Sequence, residues 1–508
     1  MPRPPKRSDL GSRRVAIGMF DLFIREVDRA LSIEWRRPAD DVNAFDEVPC
    51  STWFCPRNHL EARLTPEAVA VGPPEATPPE LPLAIRAGNE AAAEFGFDVI
   101  DADGRDYRLK FDPPGHAGLA TGAEAVAQRL FWAAGYNTPG AFVVDLGAGD
   151  LVIAAGATIL HHGYEKRRFT PAELRGTLAK VARTRDGRVR AVAVATPKGI
   201  EAGAFDFKGR REDDPNDRIP HQHRRSLRAN RILAAWTGAA AMSAADTQDV
   251  WVAHGGRHFV RHYFRDFSAT FGASWIDLKG PWQGDERIFD FSRQVKALLL
   301  LGIYQRGWQG KRDDWEAALR DAPALGWFAG ESWRAGGFRT AWPLPAYVRM
   351  TDRDGYWGAK VVTAFTDEQI RAAVSAGRFA AADAALLERV LRARRDAIGR
   401  HWLRRVTAVE QAALSRDGAS LCFLDLAIDR GAVAARRVRY TLVAAGRRRW
   451  FQAQGPRSCL PLPSLRGEYE VVTIVSRVDG LLARAVHVHL AWRPAQRRFA
   501  VVGLDRDE

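Results

Sequence analysis

Residues 236–272, WTGAAAMSAADTQDVWVAHGGRHFVRHYFRDFSATFG, constrain the fold more than any other stretch. Gly255-Gly256 is a two-residue turn signal between β-type runs, which predicts a hairpin near 250–266. An amphipathic stretch ending near Trp236 precedes it, and Asp266-Phe267-Ser268 follows at once. The chain therefore passes from a helix through a loop into a hairpin that delivers an aspartate.

That hairpin cannot stand alone, so the context matters. At 508 residues the chain exceeds one ordinary core, and two or three domains are expected. Residues 1–80 read as an irregular arm: Pro-rich pieces bracket a short helix near 18–31. The segment DVNAFDEVPCSTWFCPRN is expected to dock Trp53 and Phe54 onto a domain. Strand-like alternation follows at 83–86, 95–100 and 107–111, with Asp103-Gly104 as a turn. A helix over 122–135 comes next, its start marked by the capping-box spacing Thr121-x-x-Glu124. A strand at 141–145 closes this unit, residues 81–160.

Residues 161–410 read as mostly helical. Thr170-Pro171-x-Glu173 opens a helix to about 184, and 188–196 alternates as a strand. Helices are expected at 221–236, at 289–305 with the apolar run 297–304 buried, from Thr366-x-x-Gln369, and at 381–403. Residues 415–508 turn to β, with strands at 421–423, 438–442, 469–475, 486–490 and 499–501, a pattern that suits a small β-sandwich.

Charge and cysteine content exclude little. The net charge of +14 comes from 75 basic and 61 acidic residues, but the arginines are scattered among alanines. No basic stripe with interleaved aromatics points to nucleic acid. Cys50-x4-Cys55 with His59 nearby has half a zinc-site spacing, but no second ligand pair follows. His487 and His489 share a strand face, which is read as solvated. The N-terminus carries no convincing signal peptide and no run long enough to span a bilayer. The compartment is therefore cytoplasmic by default, and any protein partner is unnamed.

The chemistry comes from a resemblance. Arg108-Leu109-Lys110-Phe111-Asp112-Pro113, Ala120-Thr121-Gly122-Ala123-Glu124 and Ala134-Gly135-Tyr136-Asn137-Thr138-Pro139 resemble a group of uncharacterised bacterial proteins with an atypical kinase-like domain. That domain is itself distantly similar to HipA-like and lipid-kinase-like folds. DVNAFDEVP at 41–49, DPNDRIPH at 214–221, FVRHY at 259–263 and FTDEQI at 365–370 fit the same group. The resemblance implies an α+β, bilobal protein-kinase-like fold: a small lobe at 81–160, a large lobe at 161–410, and the arm and C-terminal β domain around them.

It also implies a nucleotide site using ATP and Mg²⁺. Lys110 would contact phosphate, Glu124 would pair with it, and Asp266 would hold the metal. In the register that matches Trp236 and Asp266, Ala241 stands where the catalytic-loop aspartate belongs and Asp246 where a metal-binding asparagine belongs. Asp246 can still ligate Mg²⁺ through oxygen. An alanine cannot take a proton, and loss of a general base costs about 10²–10⁴ in rate. Asp249 is the alternative base if the loop shifts register. His221 and His223, at a helix start, are read as surface residues. The phosphate loop departs too: Gly88-Asn89-Glu90-Ala91-Ala92-Ala93 replaces a Gly-Lys-Ser-x-Gly-like stretch. The expectation is a pseudokinase or degenerate phosphotransferase acting through protein binding. The alternatives are an active ATP-dependent phosphotransferase with an unorthodox base and a non-enzymatic structural or envelope-associated binding protein.

Overall fold

The computed structural model describes residues 3–8, 37–89, 96–161, 165–274, 278–301, 303–322, 324–330, 333–465 and 467–508. The helix expected at 18–31 and residues 90–93 of the phosphate loop lie outside them. The fold is mixed α+β with several sheets.

The first unit is a seven-stranded sheet of β1 (Leu83–Asn89), β2 (Gly96–Ile100), β3 (Asp106–Phe111), β4 (Ala141–Leu146), β5 (Leu151–Leu160), β6 (Lys166–Arg168) and β7 (Val189–Ala195). The order is β4-β7-β3-β2-β1-β5-β6, antiparallel except for the parallel pair β1/β5. Alternation follows the pleat: Leu109 and Phe111 of β3 point into a core with Phe97, Val99 and Ile159. Lys110 points to the other side, toward α1 (Leu119–Ala134). β3 is an inner strand, so Lys110 is not an edge-strand surface lysine.

α1 starts three residues before the expected position. The carboxylate of Asp112 accepts from the backbone N–H groups of Gly118, Ala120 and Thr121 at 2.7–2.9 Å, and from the Thr121 hydroxyl. An aspartate outside the helix thus satisfies its first donors. Thr121 lies inside the helix and Glu124 is no capping residue.

The larger core gathers the arm, α1, the later helices and the C-terminal β region in one cluster. Trp53 and Phe54 are buried in it, as the arm reading expects. The expected helix at 221–236 breaks into a 3-10 turn, His221–His223, a short helix, Arg225–Arg228, and α2 (Asn230–Thr237), because Arg224 takes an extended backbone (φ −88°, ψ 123°). A three-stranded sheet follows, β8 (Ile200–Gly203), β9 (Thr247–His254) and β10 (Arg257–Phe264). β9 and β10 form the hairpin, with Arg257 opposite His254 across Gly255 and Gly256. Both glycines have positive φ, 55° and 72°, as a primed hairpin turn requires.

The run 297–304 contradicts its reading as a buried helix. The helix ends at Leu299, and Leu298, Leu299, Leu301 and Ile303 are 74–89% exposed. A run of consecutive apolar residues has no periodicity that separates a buried helix from an exposed tip. The capping box Thr366/Gln369 opens Asp367–Ser375 as expected. It packs against α1 and α4 (Ala381–Trp402), and α4 in turn packs against α3 (Asp352–Thr363).

The C-terminal region holds two sheets. One is β11 (Val409–Leu414), β12 (Ser420–Asp425) and β15 (Arg457–Pro461). The other contains β13 (Val438–Ala444), β14 (Arg447–Gln452), β16 (Tyr469–Val478), β17 (Leu481–Leu482), β18 (Val486–Arg493) and β19 (Arg498–Arg506). They face each other through contacts such as Phe423 edge-on to Tyr440, 5.3 Å between ring centres. Val486, Val488 and Leu490 are fully buried, while His487 bonds Thr473 and Asp507, and His489 bonds Tyr469.

All four cysteines form disulfides, Cys50–Cys55 and Cys422–Cys459. That removes the half zinc site, since a disulfide sulfur offers no thiolate to a metal. Among the described residues, no helix is long and apolar enough to cross a membrane.

Candidate functional site

β3, α1 and the end of the hairpin converge on one ammonium. Lys110 Nζ lies 2.8 Å from Glu124 Oε2 and 2.7 Å from Asp266 Oδ1. The backbone N–H of Phe267 donates to the same Glu124 oxygen at 2.9 Å. Ser268 donates to Asp266 Oδ1 through its hydroxyl at 2.7 Å. Phe267 is buried against Phe131 of α1, 4.7 Å between ring centres, which pins the Asp-Phe-Ser segment to the helix carrying Glu124.

The two carboxylates differ electrically. Glu124 is fully buried, and burial pushes its carboxyl above the usual range, against the pull of Lys110. Its Oε1 has no hydrogen-bond partner among the described residues. Asp266 is 25% exposed at its side chain. Burial works to raise its carboxyl, but Lys110 and the Ser268 hydroxyl hold it well below the usual range. It is a carboxylate at any ordinary pH.

Asp246 and Asp249 occupy different surroundings. Asp246 caps its own 3-10 turn, its Oδ2 accepting from the Ser243 N–H at 2.7 Å and hydroxyl at 3.0 Å. Its carbonyl accepts from Arg265 N–H at 2.9 Å, so its backbone lies beside the segment that delivers Asp266. Asp249 is buried, one oxygen 2.6 Å from His262 Nδ1 and the other 2.9 Å from Arg211. His262 stacks on Trp53 of the arm, 3.5 Å between ring centres. Both Asp249 oxygens are thus engaged in attaching hairpin, loop and arm. Ala241 is buried and brings only a methyl group.

His221 is not a surface residue. It is buried, with Nε2 2.7 Å from Asp217, which also binds Arg224 at 2.8 Å. Ser268, Phe267 N–H and Asp112 are participants that residue matching did not single out. Among the described residues, no cluster of three or more His, Cys, Asp or Glu could hold a metal. A pair such as Asp246 and Asp266 falls below that number.

The chain matches no known protein-family model and no curated protein.

Proposed function

We propose that this is a kinase-fold protein with degenerate transfer machinery, a pseudokinase that binds nucleotide weakly or not at all and acts through protein binding. The observation carrying this reading is the Lys110 contact to both Glu124 and Asp266, beside a loop whose base position is Ala241. A strand lysine, a helix glutamate and an aspartate after a hairpin are the parts that would hold nucleotide phosphate and Mg²⁺. Asp266 fits a metal ligand, being ionised and partly exposed, and Asp246 would be its companion. Neither of the two expected acids is placed to accept a proton: Asp246 is drawn into its own turn and Asp249 is clamped by Arg211 and His262.

A thermal-shift titration with ATP and Mg²⁺, paired with a phosphate-release assay and repeated on Asp266→Ala, tests this. Ligand at about 100 times its dissociation constant would stabilise the fold by roughly 2.7 kcal/mol. The expected result is a small shift or none, with no phosphate turnover. Turnover that Asp266→Ala abolishes would sink the proposal and leave an active phosphotransferase with an unorthodox base.

A second reading, an envelope-associated binding protein without enzymatic activity, is favoured by the disulfides. Pairing of every cysteine suits an oxidising compartment rather than the reducing cytoplasm. Here the β-sandwich would be the interaction part. Thiol labelling of the natively expressed protein separates the two, since free thiols in the cell would exclude the oxidising location.

A further inference from the structure

A cavity of about 780 Å³, lined by none of Lys110, Glu124 and Asp266, lies between α4, the turn 333–337 and the start of α2. Its volume suits a small organic molecule. Ala393 and Ala397, one helical turn apart on α4, leave the floor open, and Arg400 and His401 continue it. Trp333 and Trp402 supply indole walls. Gly336 sits so close to the His401 ring that a Cβ there would lie 2.6 Å from it, so a larger residue would have to displace the imidazole.

The charge of the lining is one-sided. Arg231, Arg334, Arg400, Arg405 and His401 line the cavity, and no described lining residue is acidic. Arg405 is neutralised by Asp352 at 3.0 Å. Arg231, Arg334 and Arg400 have no carboxylate within ion-pair distance among the described residues. Among the described residues, the half-buried Arg231 bonds the carbonyls of Phe338, at 2.9 Å, and Tyr347. Burial, with Arg287 and Arg339 adding repulsion, pulls its guanidinium down to about 10. Arg400 and His401 alone would be explained by their place in the last turn of α4, where cations complement the helix dipole. Arg231 and Arg334 come from other segments, and that explanation does not reach them.

We propose that this cavity binds a small organic anion, with a phosphate group held by Arg231, Arg334 and Arg400 and a flat ring against the tryptophan walls. Guanidinium forks match phosphate oxygens in pairs. An indole face accepts an aromatic ring by offset or edge packing. The site is independent of the Lys110 cluster, so neither reading depends on the other.

Isothermal titration calorimetry of the full chain with 1-naphthyl phosphate tests the proposal, with 1-naphthol and inorganic phosphate as the two halves of the probe. Binding should be saturable, tighter for 1-naphthyl phosphate than for either half, and weakened by salt. The double variant Arg334→Ala/Arg400→Ala, at two exposed positions, should bind roughly tenfold or more weakly with an unchanged melting temperature. Ala397→Trp should fill the floor and abolish binding, while Asp266→Ala should leave it unchanged. Absence of saturable binding, or a double variant that binds like the parent, overturns the proposal. Equal affinity for inorganic phosphate overturns its ring half.

Discussion

Glu124 is the charge whose surroundings leave least room for change. It is fully buried, and its ionised form depends on Lys110 and the Phe267 N–H. Lys110→Met would leave it buried beside Asp266 without a cation. The expected loss is about 3–5 kcal/mol, the cost of breaking a buried pair on one side, read by urea denaturation. Glu124→Gln keeps an acceptor for Phe267 N–H and leaves Lys110 paired with Asp266, so its loss should be smaller. If the two variants unfold at the same urea concentration, Glu124 is not held as a paired carboxylate. Local pattern placed these three residues on a strand end, a helix turn and the segment after a hairpin, and only the resemblance singled them out as a group. Their partners were less legible. Asp112 takes over the cap that Thr121-x-x-Glu124 suggested, and nothing in the spacing says that a side chain nine residues upstream will reach Thr121. His221, at a turn among polar residues, is buried because Trp53 arrives from far along the chain, 4.6 Å between ring centres.

At the level of elements, two connections lend themselves to measurement. The β9–β10 hairpin turns through two glycines whose added Cβ atoms would meet nothing within 4 Å. Alanine at both positions therefore costs only the left-handed backbone, about 1–2 kcal/mol per residue. A loss well above this would mean that the turn has contacts in the intact protein. The disulfide Cys422–Cys459 joins neighbouring strands β12 and β15 over a separation of 37 residues. Restricting a loop of that length in the unfolded chain is worth about 4 kcal/mol, against about 2 kcal/mol for the five-residue separation of Cys50–Cys55. Chemical denaturation of Cys422→Ser/Cys459→Ser and Cys50→Ser/Cys55→Ser should reproduce that order. Strands and capping boxes were readable here because pleat alternation and Thr-x-x-Gln spacing are local rules. The pairing of cysteines was not, since it depends on which strands become neighbours. The exposed leucines near residue 300 escaped for a different reason: burial is a property of what packs against a segment, and an aperiodic run carries no sign of it.

Across the whole molecule, one buried ionic cluster joins the arm to both ends of the later chain. Asp46 accepts from Arg225 in the short helix before α2, from Arg353 of α3 at 2.7 Å, and from Arg506 of β19 at 2.6 Å. Arg506 also reaches Glu410 of β11 at 2.9 Å, and Arg225 reaches Asp354 at 3.1 Å. The sequence motif DVNAFDEVP drew attention to this stretch only as part of a resemblance, and partners up to 460 positions away leave no local trace. Burial works to raise the Asp46 carboxyl, but Arg225, Arg506 and Arg353 outweigh it and hold it at about 2, against an ordinary value of 3.8. A carboxyl depressed by folding stabilises the native state above its unfolded value, and that contribution is lost as pH falls through the folded one. About 2 kcal/mol should therefore disappear between roughly pH 4 and pH 2. Asp46→Asn removes the charge at every pH and leaves three guanidiniums facing a neutral amide, so it should cost about 3–5 kcal/mol at pH 7. It should also flatten the acid limb of a stability–pH curve measured by urea denaturation. If the Asp46→Asn protein keeps the parent's full acid limb, other carboxylates, not this one, hold the arm and the C-terminal strands to the helices between them.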